Sequence, residues 1–168
     1  SIISRYQDPD GDLGISDEGW EIAAKFLGNA HNIADGEDAV GSVINGTYPM
    51  DEHWASGVLT EQKDRDYKFQ IMTPDIGEPY VVESLAISAG TKKYDTCVAF
   101  LNWLGSSDVQ LDWSNHYGTI PCQKEALAQV SDDIKEMMEI LKPQDLDWSF
   151  IAENVDSWVE KAELEYVQ

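Results

Sequence analysis

Apolar residues recur every three or four positions in seven stretches of the chain, and this spacing predicts amphipathic helices. The stretches are residues 20–27, 37–45, 58–63, 94–104, 109–113, 127–141 and 151–162. Residue types that favour helix N-caps precede three of them: Ser16, a serine at 106 or 107, and Asp147. Glycines at 28, 46 and 118 follow three of the stretches and predict where those helices end.

Two further stretches have the apolar pattern of β-strands. Residues 67–73 alternate between apolar and polar positions, and residues 80–88 form a nearly continuous apolar run. Such a run is typical of a strand that is covered on both faces. Pro74, Gly77 and Pro79 lie between the two stretches and predict a turn. The alternation of helices and strands predicts an α/β fold with two separable halves that meet near Pro79.

Glu83 and Ser84 interrupt the apolar run at residues 80–88. A carboxylate inside a covered strand is costly unless another group pairs with it. Glu83 therefore either faces water at a sheet edge or belongs to a binding site, and the pattern alone leaves both interpretations open.

The composition predicts a globular, strongly acidic protein. The 168 residues include 32 acids against 11 bases, which gives a net charge of −21. Such a charge repels nucleic acid and anionic lipid, so partners of these two classes are excluded. We interpret the acidity as a solvated, solubilising surface and not as a device that recruits a cationic ligand.

An acidic loop near the start of the chain supports an alternative function. Asp8, Asp10 and Asp12 alternate as ligands do in a calcium loop. The match then fails, because Leu13 occupies the position of the turn glycine and Gly19 that of the final glutamate. The alternative function is a calcium-binding module or a hydrolase-type enzyme domain.

The sequence contains no cofactor motif, no phosphate-binding glycine loop and no pair of histidines at metal-ligand spacing. An enzyme is therefore unsupported, and no cofactor is predicted. Cys97 and Cys122 are too few and too far apart in sequence for a zinc site. Cys97 lies on a helical apolar stripe, so we expect a buried free thiol, with a disulfide as the alternative.

Four short sequence motifs occur in an order that resembles a known protein family. They are P-x-x-G at 74–77, LAISAGTKK at 85–93, AFLNWLGSSDVQ at 99–110 and YGTIP at 117–121. In this order they resemble the second half of bacterial extracellular solute-binding proteins, the two-lobed receptors of ABC importers. The similar subgroup binds iron, polyamines or phosphonates.

The resemblance implies a type II periplasmic binding protein fold. A receptor of this family is about twice as long, so we expect this chain to be the C-terminal portion of a longer protein. Residues 1–79 would belong to the second lobe, and residues 80–168 would return into the first lobe and add the C-terminal helices. The implied location is periplasmic or extracellular, with attachment to the cell surface, and the implied partner is the permease of the same transporter.

The resemblance also implies a binding site. A strand at residues 48–52 would bring the segment after it to the cleft between the lobes, and the crossover at 80–84 would form the facing wall. The expected ligand-binding residues are Asp51, His53, Trp54, Ser56, Glu83 and Ser84. The expected solute is a polyamine or other amine, or a phosphorylated sugar or phosphonate. Ferric ion fits less well, because the adjacent tyrosines that the iron-binding branch uses are missing.

Overall fold

The structure is a computed structural model that describes residues 1–167, and these residues are mainly helical. A short 3-10 helix at Ile3–Arg5 precedes one strand, β1 (Gln7–Asp12). The helices are α1 (Asp17–Gly28), α2 (Ala39–Ile44), α3 (Ala55–Arg65), α4 (Tyr94–Leu104), α5 (Ser107–Tyr117), α6 (Lys124–Leu127), α7 (Asp132–Ile140) and α8 (Trp148–Glu165). Helices therefore form in all the stretches where the apolar spacing predicts them.

The chain divides into two compact units. Unit 1 combines Ser1–Glu37 with the chain from Pro143 onward, and unit 2 is Asp38–Lys142. Neither boundary falls at residue 79, where the sequence analysis expects the crossover between lobes. The assignment of residues 1–79 and 80–168 to two lobes stays a prediction.

Unit 1 has a small core built around two tryptophans. Ile15, Trp20, Ala23 and Trp158 are buried, and the ring of Phe150 packs against Trp158 with centroids 5.3 Å apart. A buried indole needs a partner for its N–H group. Trp20 Nε1 donates to the Asp12 carbonyl at 2.9 Å, and Trp158 Nε1 donates to the Leu13 carbonyl at 3.0 Å. The two indoles therefore attach α1 and α8 to the same turn.

That turn requires glycine at two positions. The backbone folds back after β1, so that the Asp8 amide donates to the Gly14 carbonyl at 2.9 Å. A Cβ atom on Gly11 would lie only 2.2 Å from the carbonyl oxygen of Ile15. Gly14 has a φ of +74°, a conformation that costs residues with a Cβ atom more than it costs glycine. The local sequence DGDLG thus sets the shape of the turn whose carbonyls accept the two indole hydrogen bonds.

Unit 2 buries its apolar residues near its C-terminal end. Ala126, Val130, Ile134 and Met137 are at most 3% exposed, whereas α2, α3 and α4 contain no buried residue. An ion pair connects α2 to α3, since the guanidinium of Arg65 donates to both carboxylate oxygens of Asp38 at 2.9 Å. These hydrogen bonds lower the pKa of Asp38, which also caps α2 through the Gly41 amide.

The predicted strands are wrong for the described residues. Residues 48–52, 67–73 and 80–88 form no strand. A strand is stable only when a neighbour takes its backbone hydrogen bonds, and the part of the chain that the structure describes supplies no such neighbour to these segments. These segments have the apolar pattern of strands but lack the backbone pairing that would make them strands.

The stripe at 127–141 also forms differently from the prediction. It is divided between α6, which ends at Leu127, and α7, which begins at Asp132. The side chain of Gln129 donates to the carbonyl of Glu125 at 2.8 Å, just after α6 ends. Ser131 then takes the N-cap position of α7.

Replacing Trp158 with phenylalanine tests the role of the indole hydrogen bond in unit 1. The ring stays apolar, but the hydrogen bond to the Leu13 carbonyl is lost, so we expect the free energy of unfolding to fall by about 1 kcal/mol. Trp148→Phe is the control, since Trp148 is 51% exposed, and we expect a change within about 0.5 kcal/mol. Guanidinium denaturation followed by far-UV circular dichroism measures both, and equal changes would contradict the assignment.

Candidate functional site

The segment predicted to face a solute leads into the first turn of α3. Residues 51–54 have no regular structure, and Trp54 occupies the N-cap position of the helix. Its carbonyl accepts from the Val58 amide at 2.9 Å, but its side chain makes no capping hydrogen bond. Four of the six predicted residues therefore lie together at one end of one helix.

His53 and Asp51 form a side-chain pair at this end. The Nδ1 atom of His53 lies 3.6 Å from an oxygen of Asp51, and the two side chains are 34% and 23% exposed. A Cβ atom on Gly57 would lie 2.5 Å from His53 Nε2, so the imidazole lies directly against the first turn of α3. Glycine at 57 leaves the room that this ring position needs.

Trp54 and Ser56 differ in their surroundings. Trp54 is 69% exposed, which leaves most of its indole surface open to a ligand. Ser56 is half-buried, and its carbonyl accepts from the Thr60 hydroxyl at 3.3 Å. A Cβ atom on Gly118, which ends α5 with a φ of +65°, would lie 2.9 Å from that carbonyl. The close approach of α5 thus holds the first turn of α3 in place.

Glu83 and Ser84 lie in an exposed segment without regular structure. Within the described residues, the structure gives their side chains no hydrogen bond and no ion pair. Glu83 faces water, so its carboxylate pays no desolvation cost. No hydrogen bond or ion pair joins these two residues to Asp51, His53, Trp54 or Ser56 in the described part of the chain, so their convergence stays a prediction.

Two hydrogen bonds, one through its backbone and one through its side chain, hold Glu78, which lies just before this segment. The Glu78 amide donates to the Lys142 carbonyl at 2.8 Å, and the Lys142 amide donates to Glu78 Oε2 at 3.0 Å. Burial raises the pKa of Tyr80, and the nearby Glu78 carboxylate adds to the effect. The segment that follows therefore starts from a fixed point in unit 2.

The acidic loop does not form a metal site among residues 1–167. Asp8 accepts from the Asp10 amide at 3.0 Å, while Asp12 pairs with Lys161 at 3.2 Å. In this range no group of three histidine, cysteine or acidic side chains is arranged to hold a metal ion. The calcium-binding alternative therefore has no support in the arrangement of these carboxylates. Cys97 is half-buried and Cys122 is exposed, and both are free thiols.

Unit 1 contains a groove of about 380 Å³ that was not predicted from the sequence. Asp12, Trp20, Lys161 and Tyr166 contribute to its lining. The ammonium of Lys161 lies 5.1 Å from the Trp20 ring centroid and 2.7 Å from a carboxylate oxygen of Glu165. The hydrogen bond with Glu165 raises the pKa of Lys161, so this cation is present at neutral pH. Helical spacing predicts the Lys161–Glu165 pair, but the partners on other elements depend on the fold.

A second, open groove of about 360 Å³ lies at the start of α4 and is lined by residues 91–96. Neither groove includes a residue of the predicted solute site, although Asp12 of the acidic loop contributes to the groove in unit 1. Within residues 1–167, no helix combines the length and the apolar character that crossing a bilayer requires.

Comparisons with known proteins identify relatives of the whole chain. A family profile described as bacterial extracellular solute-binding protein matches residues 3–142. A probable ABC transporter periplasmic-binding protein, y4fP of Sinorhizobium fredii, is 34% identical over 167 residues, which is 99% of this chain and 46% of the relative. No solved structure matches significantly. The chain thus spans less than half of that relative's length.

Both matches are to the family that the motifs at 74–77, 85–93, 99–110 and 117–121 resemble. Membership of the family suggests a periplasmic binding protein-like fold, whereas residues 1–167 by themselves are mainly helical, with the one strand β1. On the match over residues 3–142, this chain belongs to the bacterial extracellular solute-binding protein family.

Proposed function

We propose that the protein containing this chain is the solute-binding component of an ABC importer. It binds a small solute outside the cytoplasmic membrane and delivers it to the permease of the same transporter. The family match over residues 3–142 carries this proposal, and the relative, a probable ABC transporter periplasmic-binding protein, supports it. The location that follows is periplasmic or extracellular, with attachment to the cell surface as part of the proposal. The function involves binding and release and requires no catalytic residue.

The proposed site comprises Asp51, His53, Trp54, Ser56, Glu83 and Ser84. Its first part is supported by the side chains at the start of α3, which include an exposed indole and a carboxylate–imidazole pair. Aromatic faces and a few convergent polar groups are typical of small-molecule sites. Glu83 and Ser84 would add a carboxylate and a hydroxyl from the other side of the solute. Closure of two lobes over the solute would follow from tighter binding in the closed state.

An organic amine fits the start of α3 better than a phosphorylated sugar or a phosphonate. An anion would use the free amides of the first helical turn, but the imidazole of His53 lies against Gly57 on that turn. An amine would instead use the carboxylate of Asp51 and the exposed face of Trp54. The phosphorylated compounds remain the second candidates, because the subgroup resemblance includes them.

Removing the indole of Trp54 should weaken amine binding. We expect Trp54→Ala to lower the affinity of the complete protein for a polyamine about tenfold, because a cation–π contact of this size is lost. Trp113→Ala is the matched control, since Trp113 is 49% exposed on α5 and should leave affinity unchanged. Isothermal titration calorimetry with spermidine measures both variants. Equal affinities in the two variants would remove Trp54 from the site.

Neutralising Asp51 distinguishes an amine from an anion. Asp51→Asn should reduce affinity for spermidine about tenfold or more, since a charge-assisted contact is lost, while affinity for a phosphonate should not fall. Asp64→Asn, on an exposed residue near the other end of α3, is the control for a general charge effect. A thermal-shift series over amines and phosphonates gives the ranking. Stabilisation by phosphonates alone would contradict the amine proposal and leave the transport function intact.

A further inference from the structure

Asn45 is followed by a glycine at the end of α2. The chain contains six asparagines, and the other five precede residues that have a Cβ atom. Asparagine is thermally labile, because the backbone nitrogen of the next residue can attack its side-chain amide carbon and form a cyclic imide. The attack is intramolecular, and a glycine at the next position hinders it least because it has no side chain. The sequence therefore marks Asn45 as a candidate for self-modification.

The side chain of Asn45 is held in a turn by the residue two positions later. Its Oδ1 atom accepts from the Thr47 amide at 2.9 Å and from the Thr47 hydroxyl at 2.6 Å. Both donors bind the oxygen on which negative charge develops when a nucleophile adds to the amide carbon. Two donors at such distances form the arrangement by which oxyanion holes stabilise an intermediate of this kind. The turn thus polarises the amide of Asn45 as well as fixing its position.

The nucleophile would be the backbone nitrogen of Gly46, which lies in an open part of the turn. Residues 45–47 are exposed, and among residues 1–167 no atom beyond the adjacent residues lies within 4 Å of the position that a Cβ atom on Gly46 would occupy. The Gly46 amide donates to the Val43 carbonyl at 3.1 Å, so this bond must open before the nitrogen attacks. Opening costs little, because α2 has only six residues and none of them is buried.

We propose that Asn45 converts to aspartate and isoaspartate in the folded protein and that Thr47 accelerates the conversion. A base from the solvent takes the proton of the Gly46 amide, and the nitrogen forms a bond to Cγ of Asn45. Thr47 stabilises the oxyanion of the intermediate, which then expels the side-chain nitrogen as ammonia after that nitrogen takes a proton from the solvent. The resulting succinimide is opened by water at either carbonyl. The net change is the uptake of water and the loss of ammonia, without an oxidant or a second protein.

The product would change both the charge and the backbone of this turn. A carboxylate at residue 45 lies at the C-terminal end of α2, where the helix dipole disfavours negative charge. An isoaspartate adds a methylene group to the main chain, which would displace the Tyr48 amide from the Ser42 carbonyl that accepts from it at 3.1 Å. The conversion would therefore loosen the connection between α2 and the segment that precedes α3.

Incubation of the complete protein in mildly alkaline, ¹⁸O-labelled water, followed by mass spectrometry of its peptides, tests this proposal. We expect the peptide that contains Asn45 to incorporate the label faster than the peptides with the other five asparagines, as a mixture of aspartate and isoaspartate. Thr47→Val keeps the backbone donor but removes the hydroxyl, and it should slow the conversion about fivefold. Thr47→Ser keeps the hydroxyl and should convert at nearly the native rate.

Two controls separate the geometry of the turn from the local sequence. Thr73→Val, on an exposed residue without regular structure, should leave the conversion of Asn45 unchanged. In guanidinium chloride the turn is lost, so the native sequence and Thr47→Val should convert at equal rates. Equal rates without denaturant would overturn the proposal, and so would a slowing by Thr47→Val that persists in guanidinium chloride. An Asn45 that stays intact while another asparagine of the chain converts would also overturn it. Each of these results is independent of which solute binds.

Discussion

The pairing of backbone hydrogen-bonding groups is the constraint on which this structure depends. A helix satisfies most of its N–H and C=O groups within one segment, whereas a strand needs a second segment beside it. The described residues form eight α-helices, a short 3-10 helix and one short strand, so their regular elements are mostly ones that satisfy their own backbone hydrogen bonds. Segments with a strand pattern, at 67–73 and 80–88, form no strand, because the described residues supply no neighbouring strand to pair with them.

Unit 1 shows how a small core is held by a few specific bonds. Two buried indoles, those of Trp20 and Trp158, donate to neighbouring carbonyls in the turn after β1. Lys161 adds a contact between α8 and the same region through Asp12 and the face of Trp20. Because Trp158 and Lys161 lie far in sequence from their partners near β1, their contacts join the two ends of unit 1 and could not be deduced from local patterns.

The sequence predicted the helices well, since a period of three to four residues and a capping residue are local properties. Ser16 and Asp147, for example, accept hydrogen bonds from the first turns of α1 and α8, as their positions predict. The strands could not be predicted in the same way, because their formation depends on a distant partner. The site could be predicted only in part. Asp51 to Ser56 lie together because they are adjacent in sequence, whereas their proposed approach to Glu83 depends on a tertiary arrangement.

In the proposed site the start of α3 contacts the solute, and the indole N–H resonance of Trp54 reports on that contact most directly. In a ¹⁵N spectrum of the complete protein, with that resonance assigned through Trp54→Phe, titration with spermidine should shift the Trp54 signal. The buried indoles of Trp20 and Trp158 should not shift, since they are hydrogen-bonded inside unit 1. Saturable spermidine binding with an unchanged Trp54 signal would contradict the claim.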